Sequence, residues 1–347
     1  QARLELTRPQ EAARSSASAG PLGWHDLTRE EQQLCPPILL LGNDDSLGGR
    51  GLSALIWLLG SDWPVKIMVL SDLDLGLGAG GIMDTPTAST RNPKVNLGLL
   101  GLAQRQAYVA QTSIAQPTHL QESIKEGLDF AGPALIHVYA PSPERHGFAS
   151  SQTIEQAERA TASRVFPLFR YDPECAGVFG SRIELEGNPD RDARWQEHDP
   201  LTPGDWARGQ RRFANHFTAL DDEAPAPTPL AEFLELDTQK QQGKTPYVSV
   251  PRDDGDPINY RVEQALVEIA QERLHGWRTL QELAGRVSPF TVQIEQRADE
   301  RIAASQQLEL QQLKQEYEAR IQEIEADIAV RLQNRLMTLA GYQSTNN

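Results

Sequence analysis

The sequence contains very few cysteines: only Cys35 and Cys175 in 347 residues. Two thiols cannot form a disulfide framework, and they are too few for an iron–sulfur cluster or a zinc site that needs three or four thiolates. We therefore expect no iron–sulfur cluster held by this chain. Two reduced thiols are also typical of a cytoplasmic protein.

The sequence also lacks an excess of positive charge and any long apolar run. Its formal net charge is −15 and its isoelectric point is about 5.0, so neither nucleic acid nor an anionic membrane surface is an expected partner. No apolar stretch approaches the ~18–20 residues that cross a bilayer, and residues 1–20 lack the apolar core of a signal peptide. The first residue is Gln1 rather than Met, which suggests a processed or truncated chain.

Changes in amino-acid composition along the chain predict four regions. Residues 1–36 are polar and read as a flexible lead-in, and residues 37–190 alternate apolar strands with helical patterns, as in an α/β domain. Residues 191–257 are rich in Pro, Asp and Gly and predict an irregular linker. Residues 258–347 have helical periodicity and predict a helical tail.

The α/β region predicts a parallel sheet with helices on both faces. Apolar runs at 38–41, 65–70 and 134–139 are continuous, as in strands that are buried on both sides and joined by right-handed crossovers. The intervening segments predict helices at 47–59, 97–114, 120–130 and 153–163. The stretch from 75 to 95 is rich in Gly, Pro and Thr and predicts a loop that closes over a ligand.

Polar residues follow the first two predicted strands. Asp44 and Asp45 come directly after a strand that ends at Gly42, and a glycine-rich turn with Gly48 and Gly49 then opens a helix. The second strand ends near Asp72 and Asp74.

The carboxyl ends of neighbouring parallel strands form one crevice, where backbone N–H groups bind phosphates and carboxylates bind a cation. The pattern predicts a cation on a diphosphate, with Asp44 and Asp72 as metal ligands. The same aspartates can instead cap a helix or form turns, and the glycines can instead allow tight packing of a helix on the sheet.

Several segments resemble the thiamine-diphosphate domain of pyruvate:ferredoxin (flavodoxin) oxidoreductases. The matching segments follow the family's order over roughly residues 37–190: GGRGLSALIWLLGSDWPVKIMVL, TPT, NLGLLGLAQRQAYVAQTSIA, PALIHVYAP and VFPLFRYDPE. The resemblance implies thiamine diphosphate and Mg²⁺ as cofactors and oxidative decarboxylation of a 2-oxoacid to an acyl-coenzyme A, with electrons passed to iron–sulfur clusters. It also implies other subunits or domains of the oxidoreductase, and ferredoxin or flavodoxin, as partners.

The chain departs from the family's pattern at the cation site. Leu41 and Leu77 stand where the family has polar residues, and Ser142 stands where the family has a cluster-binding cysteine. These departures leave open that the cofactor has been lost. No catalytic residue is assigned: the strand pattern favours a core position for His137, whereas His146 is the histidine better placed for a site.

The tail predicts one long helix that begins at Pro289. Large apolar residues recur eleven positions apart, which is typical of a nearly straight or slightly right-handed coil. The apolar stripe is formed by Ile302, Leu310, Leu313, Tyr317, Ile321, Ile324, Ile328, Leu332 and Leu339. We expect a coiled-coil partner or a homo-oligomer to cover this stripe.

Three functions compete at this point. In the enzymatic interpretation, the chain is the thiamine-diphosphate part of a 2-oxoacid oxidoreductase and acts inside a larger assembly. In the structural interpretation, it is a catalytically silent homologue that serves as an assembly subunit through its tail. In the third, it is a binding module that uses the crevice at the carboxyl ends of the strands for another ligand.

Overall fold

The apolar runs form the centre of a six-stranded sheet in the computed structural model, which describes residues 24–77, 95–195, 200–221, 223–252 and 255–340. The strands are β1 (Ile38–Asn43), β2 (Val65–Ser71), β3 (Tyr108–Ser113), β4 (Ala134–Tyr139), β5 (Phe169–Tyr171) and β6 (Ile183–Glu184). Their order is β1-β2-β4-β3-β5-β6. The strands β1, β2, β4 and β3 are parallel to one another, β5 is antiparallel to β3, and β6 is antiparallel to β5. The predicted parallel pairing is confirmed.

Helices lie on both faces of this sheet. The helices of this part of the chain are α1 (Arg29–Gln33), α2 (Leu52–Leu59), α3 (Leu97–Gln104), α4 (Pro117–Asp129), α5 (Pro143–His146) and α6 (Thr153–Ala162). Gly101 of α3 closely approaches Leu135 of β4, whereas Gly127 of α4 approaches the next strand residue, Ile136. Because successive strand residues face opposite sides, α3 and α4 cover opposite faces.

The prediction of one helix over 97–114 is wrong. The helix α3 ends at Gln104, the next residue Arg105 has a left-handed backbone (φ 59°), and the chain then enters β3. All six residues of β3 are buried. A strand buried on both faces shows no alternation of polar and apolar residues, so periodicity alone could not separate it from the helix before it.

The strand β1 differs from the prediction in its burial. It lies at the edge of the sheet with β2 as its only paired strand in the described structure. Leu39 and Leu41 are 63% and 67% exposed. The apolar run at 38–41 was expected to be buried on both faces of the sheet, and the exposure of its four side chains shows that it is not.

The segment predicted as an irregular linker, 191–257, differs most from expectation. Its described residues contain α7 (Pro203–Arg208), α8 (Leu230–Glu235), α9 (Thr238–Gln241), β7 (Phe217–Ala219), β8 (Pro227–Pro229), β9 (Thr245–Arg252) and the start of β10 (Gly255–Val262). The four strands form a second sheet in the order β7-β10-β9-β8. Buried Trp206, Phe213 and Phe233 join this segment to the main core. The prolines at 225, 227 and 229 mark a short strand at the edge of a sheet, a position that proline tolerates.

The helical region predicted from residue 258 begins later, because residues 258–262 complete β10. The first helix after β10 is α10 (Gln264–Leu283), which buries Leu266, Ile269, Leu274, Trp277 and Leu280 on one face. The described residues from 24 to 286 form one compact unit.

The described residues from 287 onward form a separate unit. It contains α11 (Pro289–Leu339), 51 residues long and about 75 Å in length at ~1.5 Å per residue. The stripe residues Leu313 and Ile324 are 53% and 52% exposed. In the part of the chain that the structure describes, no helix is long and apolar enough to cross a membrane. The loop predicted at 75–95 and most of the lead-in fall largely outside the described residues.

Candidate functional site

The carboxyl ends of β1, β2, β3 and β4 meet at one edge of the main sheet. His137 of β4 lies in register with Val69 of β2 and Gln111 of β3. Asp44 follows directly after β1, and Ser71 is the last residue of β2. Parallel pairing therefore brings four polar side chains from separate parts of the sequence to one place.

Both carboxylate oxygens of Asp44 have partners in the protein. His137 Nε2 lies 2.8 Å from Oδ1, and Ser71 Oγ donates a hydrogen bond to Oδ2. The side chains of Asp44 and His137 are 23% and 8% exposed. This contact is therefore largely shielded from water. A hydrogen bond to a charged group is stronger in such a shielded place than in water.

Gln111 fixes the other side of the His137 ring. Its Nε2 donates to Pro167 O at 2.7 Å, which turns Oε1 towards His137 Nδ1 at 3.3 Å. Both ring nitrogens of His137 therefore face side-chain oxygen atoms, one of Gln111 and one of Asp44. The ring of Phe166 meets the imidazole edge-on, with centroids 5.0 Å apart. The His137 ring is therefore held in place at both of its nitrogens.

Gly98 of α3 makes this packing possible. A Cβ atom at Gly98 would lie 2.5 Å from Gln111 Oε1 and 3.1 Å from the Phe169 ring. Only glycine lets α3 lie this close to the Gln111 amide.

The glycines and the other acidic residues of the predicted site lie nearby. Asp45, Gly48, Gly49 and Asp74 line the same cavity as Asp44, and Asp74 Oδ1 accepts from Gly76 N at 2.9 Å. Residues Ser46–Arg50 form a π-helical turn that departs from helical geometry at Gly49.

Gly42, the remaining predicted glycine, packs beneath this turn. A Cβ at that position would lie 2.8 Å from Leu47 Cδ1. Gly42 therefore packs closely against Leu47, and its cofactor-binding role stays a prediction.

Asp72 is not brought together with Asp44. Its carboxylate pairs with Arg145, and Arg212 donates to its backbone oxygen at 2.9 Å. The fully buried His146 ring lies 4.0 Å from Asp72 Oδ2, too far for a hydrogen bond. Burial acts to raise the pKa of the Asp72 carboxyl, but His146 and the two arginines outweigh burial and lower that pKa.

The cavity at this sheet edge has a volume of about 450 Å³ and is closed on one side by α10. Apolar walls come from Phe166, Trp277 and Leu280, and charged residues of α10 include Arg273 and His275. Among the described residues, no three His, Cys, Asp or Glu side chains are grouped closely enough to hold a metal ion. The metal-binding role of Asp44 and Asp72 stays a prediction.

Sequence reasoning missed Gln111 and Arg164. Gln111 carries a weak signal, a long polar side chain inside a buried strand, but the erroneous helix over 97–114 concealed it. Arg164 also lines the cavity and is completely buried. No sequence pattern identifies it, because its burial depends on packing against Trp277, more than a hundred positions away.

Comparison with known proteins finds relatives over part of the chain. It is 29% identical over 201 residues to the probable pyruvate-flavodoxin oxidoreductase of Escherichia coli (strain K12), covering 54% of this chain and 17% of that protein. It is 29% identical over 126 residues to pyruvate synthase subunit PorB of Methanosarcina barkeri, covering 36% of this chain and 38% of that subunit.

A solved 2-oxoglutarate:ferredoxin oxidoreductase from Magnetococcus marinus matches 33% of this chain and 43% of that chain at 21% identity, with a TM-score of 0.27. That structural likeness is too slight to support an argument. No family model matches the chain. The resemblance inferred from the sequence is nevertheless confirmed by the curated relatives: the chain is a relative of the pyruvate:ferredoxin (flavodoxin) oxidoreductases.

Proposed function

We propose that the chain is a domain or subunit of an assembly of the 2-oxoacid:ferredoxin oxidoreductase type and has a structural role there. In this proposal it keeps the α/β fold of a thiamine-diphosphate domain but does not hold the cofactor. The matched part of the chain spans 38% of the subunit PorB. It spans 17% of the probable pyruvate-flavodoxin oxidoreductase, which is a longer protein. Both sizes are consistent with a part that works inside a larger protein.

The observation that carries this proposal is the engagement of Asp44 by the protein itself. Its two oxygens contact His137 and Ser71, so a cation would have to displace hydrogen bonds that are already made. Asp72, the second expected ligand, pairs with Arg145 instead. A Mg²⁺ ion demands near-ideal octahedral oxygen ligands, and these two carboxylates do not offer them in this arrangement. The residues present therefore do not fit a cation bound as the resemblance implies.

The second candidate is the enzymatic one, in which the chain contributes to a thiamine-diphosphate site. It is favoured by the cavity of about 450 Å³ at the carboxyl ends of parallel strands, the usual position of ligands in open α/β sheets. The backbone of Gly48 and Gly49 also lines this cavity. The cofactor would supply the nucleophilic carbon for decarboxylation, and the missing cluster ligands would have to come from other polypeptides.

The partners follow from the same proposal. Other subunits or domains of the oxidoreductase would contact this chain in the cytoplasm, with ferredoxin or flavodoxin as the electron acceptor of the whole assembly. The exposed stripe of α11 would bind a coiled-coil partner or a second copy of the chain.

Calorimetry of the full chain with thiamine diphosphate and Mg²⁺ tests the structural role against the enzymatic one. We expect no saturable heat at ligand concentrations of about 1 mM. Saturable binding that Asp44→Asn weakens by more than ~10-fold, about 1.4 kcal/mol, would support the enzymatic candidate. Glu158→Gln, which changes an exposed carboxylate on α6, is the matched control and should leave the result unchanged.

A further inference from the structure

The face of the main sheet that carries α4 has an exposed apolar floor. A Cβ built on Gly127 of α4 would lie 3.0 Å from Ile136 Cδ1, so α4 covers the face on which Ile136 lies. Ile136 is in register with Met68 of β2, and Met68 is in register with Leu41 of β1. Residues in register in parallel strands share a face, and so do residues two apart in one strand. The floor therefore consists of Leu39, Leu41, Met68 and Leu70.

This floor is uncovered in the part of the chain that the structure describes. Leu39, Leu41 and Leu70 are 63%, 67% and 42% exposed, and Met68 is half-buried. The opposite face of β2, by contrast, carries the fully buried residues Val65, Ile67 and Val69. Parallel sheets normally have helices over both faces, so the floor marks a place where a covering element is absent from the described residues.

The flank of α4 beside this floor is also apolar. Arg170 of β5 donates hydrogen bonds to Glu122 and Glu126 of α4, at 2.9 and 3.2 Å, so the flank with the two glutamates faces β5 and points away from β1. The other flank carries apolar residues at a spacing of four, which places them in one stripe along the helix. This stripe consists of Leu120, Ile124 and Leu128. We call the floor together with this stripe the apolar groove.

The size of the apolar groove fits one helix better than a second copy of the chain. Full burial of a leucine removes roughly 60–120 Å² of apolar surface from water, so the three floor leucines and Leu128 offer at most about 500 Å². A stable dimer buries about 800 Å² per partner. An exposed apolar patch of a few hundred Å² is, however, often a functional surface.

Other occupants from this chain fit the apolar groove less well. A strand added to the edge of β1 would lie beside the sheet and leave the floor uncovered. The α4 of a second copy would present Gln121 and Lys125, which are exposed polar residues on its outer side. Residues 1–23 contain only three large apolar residues, which are too few for a helical stripe: Leu4, Leu6 and Leu22.

We propose that the apolar groove binds an amphipathic α-helix of a partner polypeptide, whose apolar face packs on Leu39, Leu41 and Leu70 beside α4. Such a helix would complete the helical layer on this face of the sheet. The proposal deepens the structural role by naming the surface and the kind of partner. It rests on the proposed function only in taking the chain to work inside an assembly.

Methyl NMR of the full chain tests the proposal, because the chain has only three methionines and Met68 lies in the floor. The methionine methyl groups are labelled with carbon-13, and Met68→Leu identifies the Met68 signal. The probe is a synthetic peptide of about 18 residues, with leucines along one helical face and equal numbers of Glu and Lys elsewhere. We expect the Met68 signal to shift saturably, with a dissociation constant of about 100 μM or lower. A peptide of the same composition, with its leucines spread around the helix, should bind at least ~10-fold more weakly.

Two double variants of β1 form a matched pair for the same measurement. Leu39→Ser with Leu41→Ser changes the floor and should weaken peptide binding by at least ~10-fold. Ile38→Ser with Leu40→Ser changes the other face of the same strand and should bind like wild type. Thermal unfolding checks the fold of each variant, and if either double variant does not fold, Leu41→Ser and Ile38→Ser replace the pair.

Several results would overturn the proposal. The Met68 signal would stay unchanged up to about 1 mM peptide, the two peptides would bind equally, or the peptide would shift only the Met337 signal of α11. Equal weakening by the two double variants would indicate a strand along the edge of β1. A lower mass of the Leu39→Ser, Leu41→Ser variant in light scattering would show that a second copy covers the floor. Binding of thiamine diphosphate in calorimetry would refute the structural role alone, so the two proposals can fail separately.

Discussion

His137 Nε2 lies 2.8 Å from Asp44 Oδ1, although the two residues are 93 positions apart in the sequence. The contact spans β2 and connects the loop after the edge strand β1 to the buried strand β4. It places an imidazole against a carboxylate that the acidic strand ends predict as a cation ligand. The pair therefore stabilises the edge of the sheet with the same oxygen atoms that a metal site would need.

Two glycine substitutions should change stability in opposite directions. Gly98→Ala places a Cβ 2.5 Å from Gln111 Oε1, so we expect it to lower the free energy of unfolding by about 1–3 kcal/mol. Gly276→Ala meets open space and should raise that free energy by about 0.5–1 kcal/mol. Urea unfolding of the two variants and wild type measures both changes. Equal effects of the same sign would contradict the packing described at Gly98.

His119 should make the fold less stable as the pH falls. Burial and, secondarily, the charge of Arg170 lower the pKa of His119 to about 4, while Glu122 opposes them. An unfolded histidine takes up its proton below about pH 6.5, whereas the folded one does so only near 4, so the unfolded state gains protons first.

Between pH 7 and 4.5 the free energy of unfolding should therefore fall by about 2 kcal/mol through this group. His119→Asn, which keeps an acceptor near Thr112 Oγ1, should remove that part of the pH dependence in urea unfolding. The exposed His275→Asn is the control and should retain it. If His119→Asn shows the full wild-type slope, His119 is not the responsible group.

The stripe of α11 should drive association. Leu313 and Ile324 are more than half exposed in the single chain, and each would gain roughly 1.5–3 kcal/mol on full burial. We expect light scattering to give a mass above that of one chain, and Leu313→Ser with Ile324→Ser, or truncation after Gly285, to reduce it. Lys314→Ser with Glu325→Ser, one position further along the helix, is the matched control. Identical monomer masses for all variants, with no partner lost in pull-downs, would show that the stripe is not an interface.

Much of the main sheet could be predicted because its strands are local apolar runs. The runs at 38–41, 65–70 and 134–139 match β1, β2 and β4, and Pro289 begins α11 as expected. The strand β3 and the second sheet were missed for a common reason. Their strands are fixed by neighbours distant in sequence, and their local composition indicates either helix or loop.

The candidate site was predictable in part. The carboxyl ends of β1 and β2 were expected to meet, and Asp44, Asp45 and Asp74 do line one cavity. Asp72 does not join them, because Arg145 and Arg212 hold it in a separate cluster. The sequence favours a core position for His137, which is buried as expected. Its partner Asp44 could not be foreseen, since the pairing depends on the register of two strands across a third.

The most direct test of the account is a double-mutant cycle on Asp44 and His137. Urea unfolding of Asp44→Ala, His137→Leu and the double variant gives the coupling free energy between the two side chains. The account predicts a coupling of about 1–3 kcal/mol, because each single change leaves the other polar group without its partner in a largely buried place. Additive effects, within about 0.5 kcal/mol, would contradict the claim that the protein itself engages the Asp44 carboxylate.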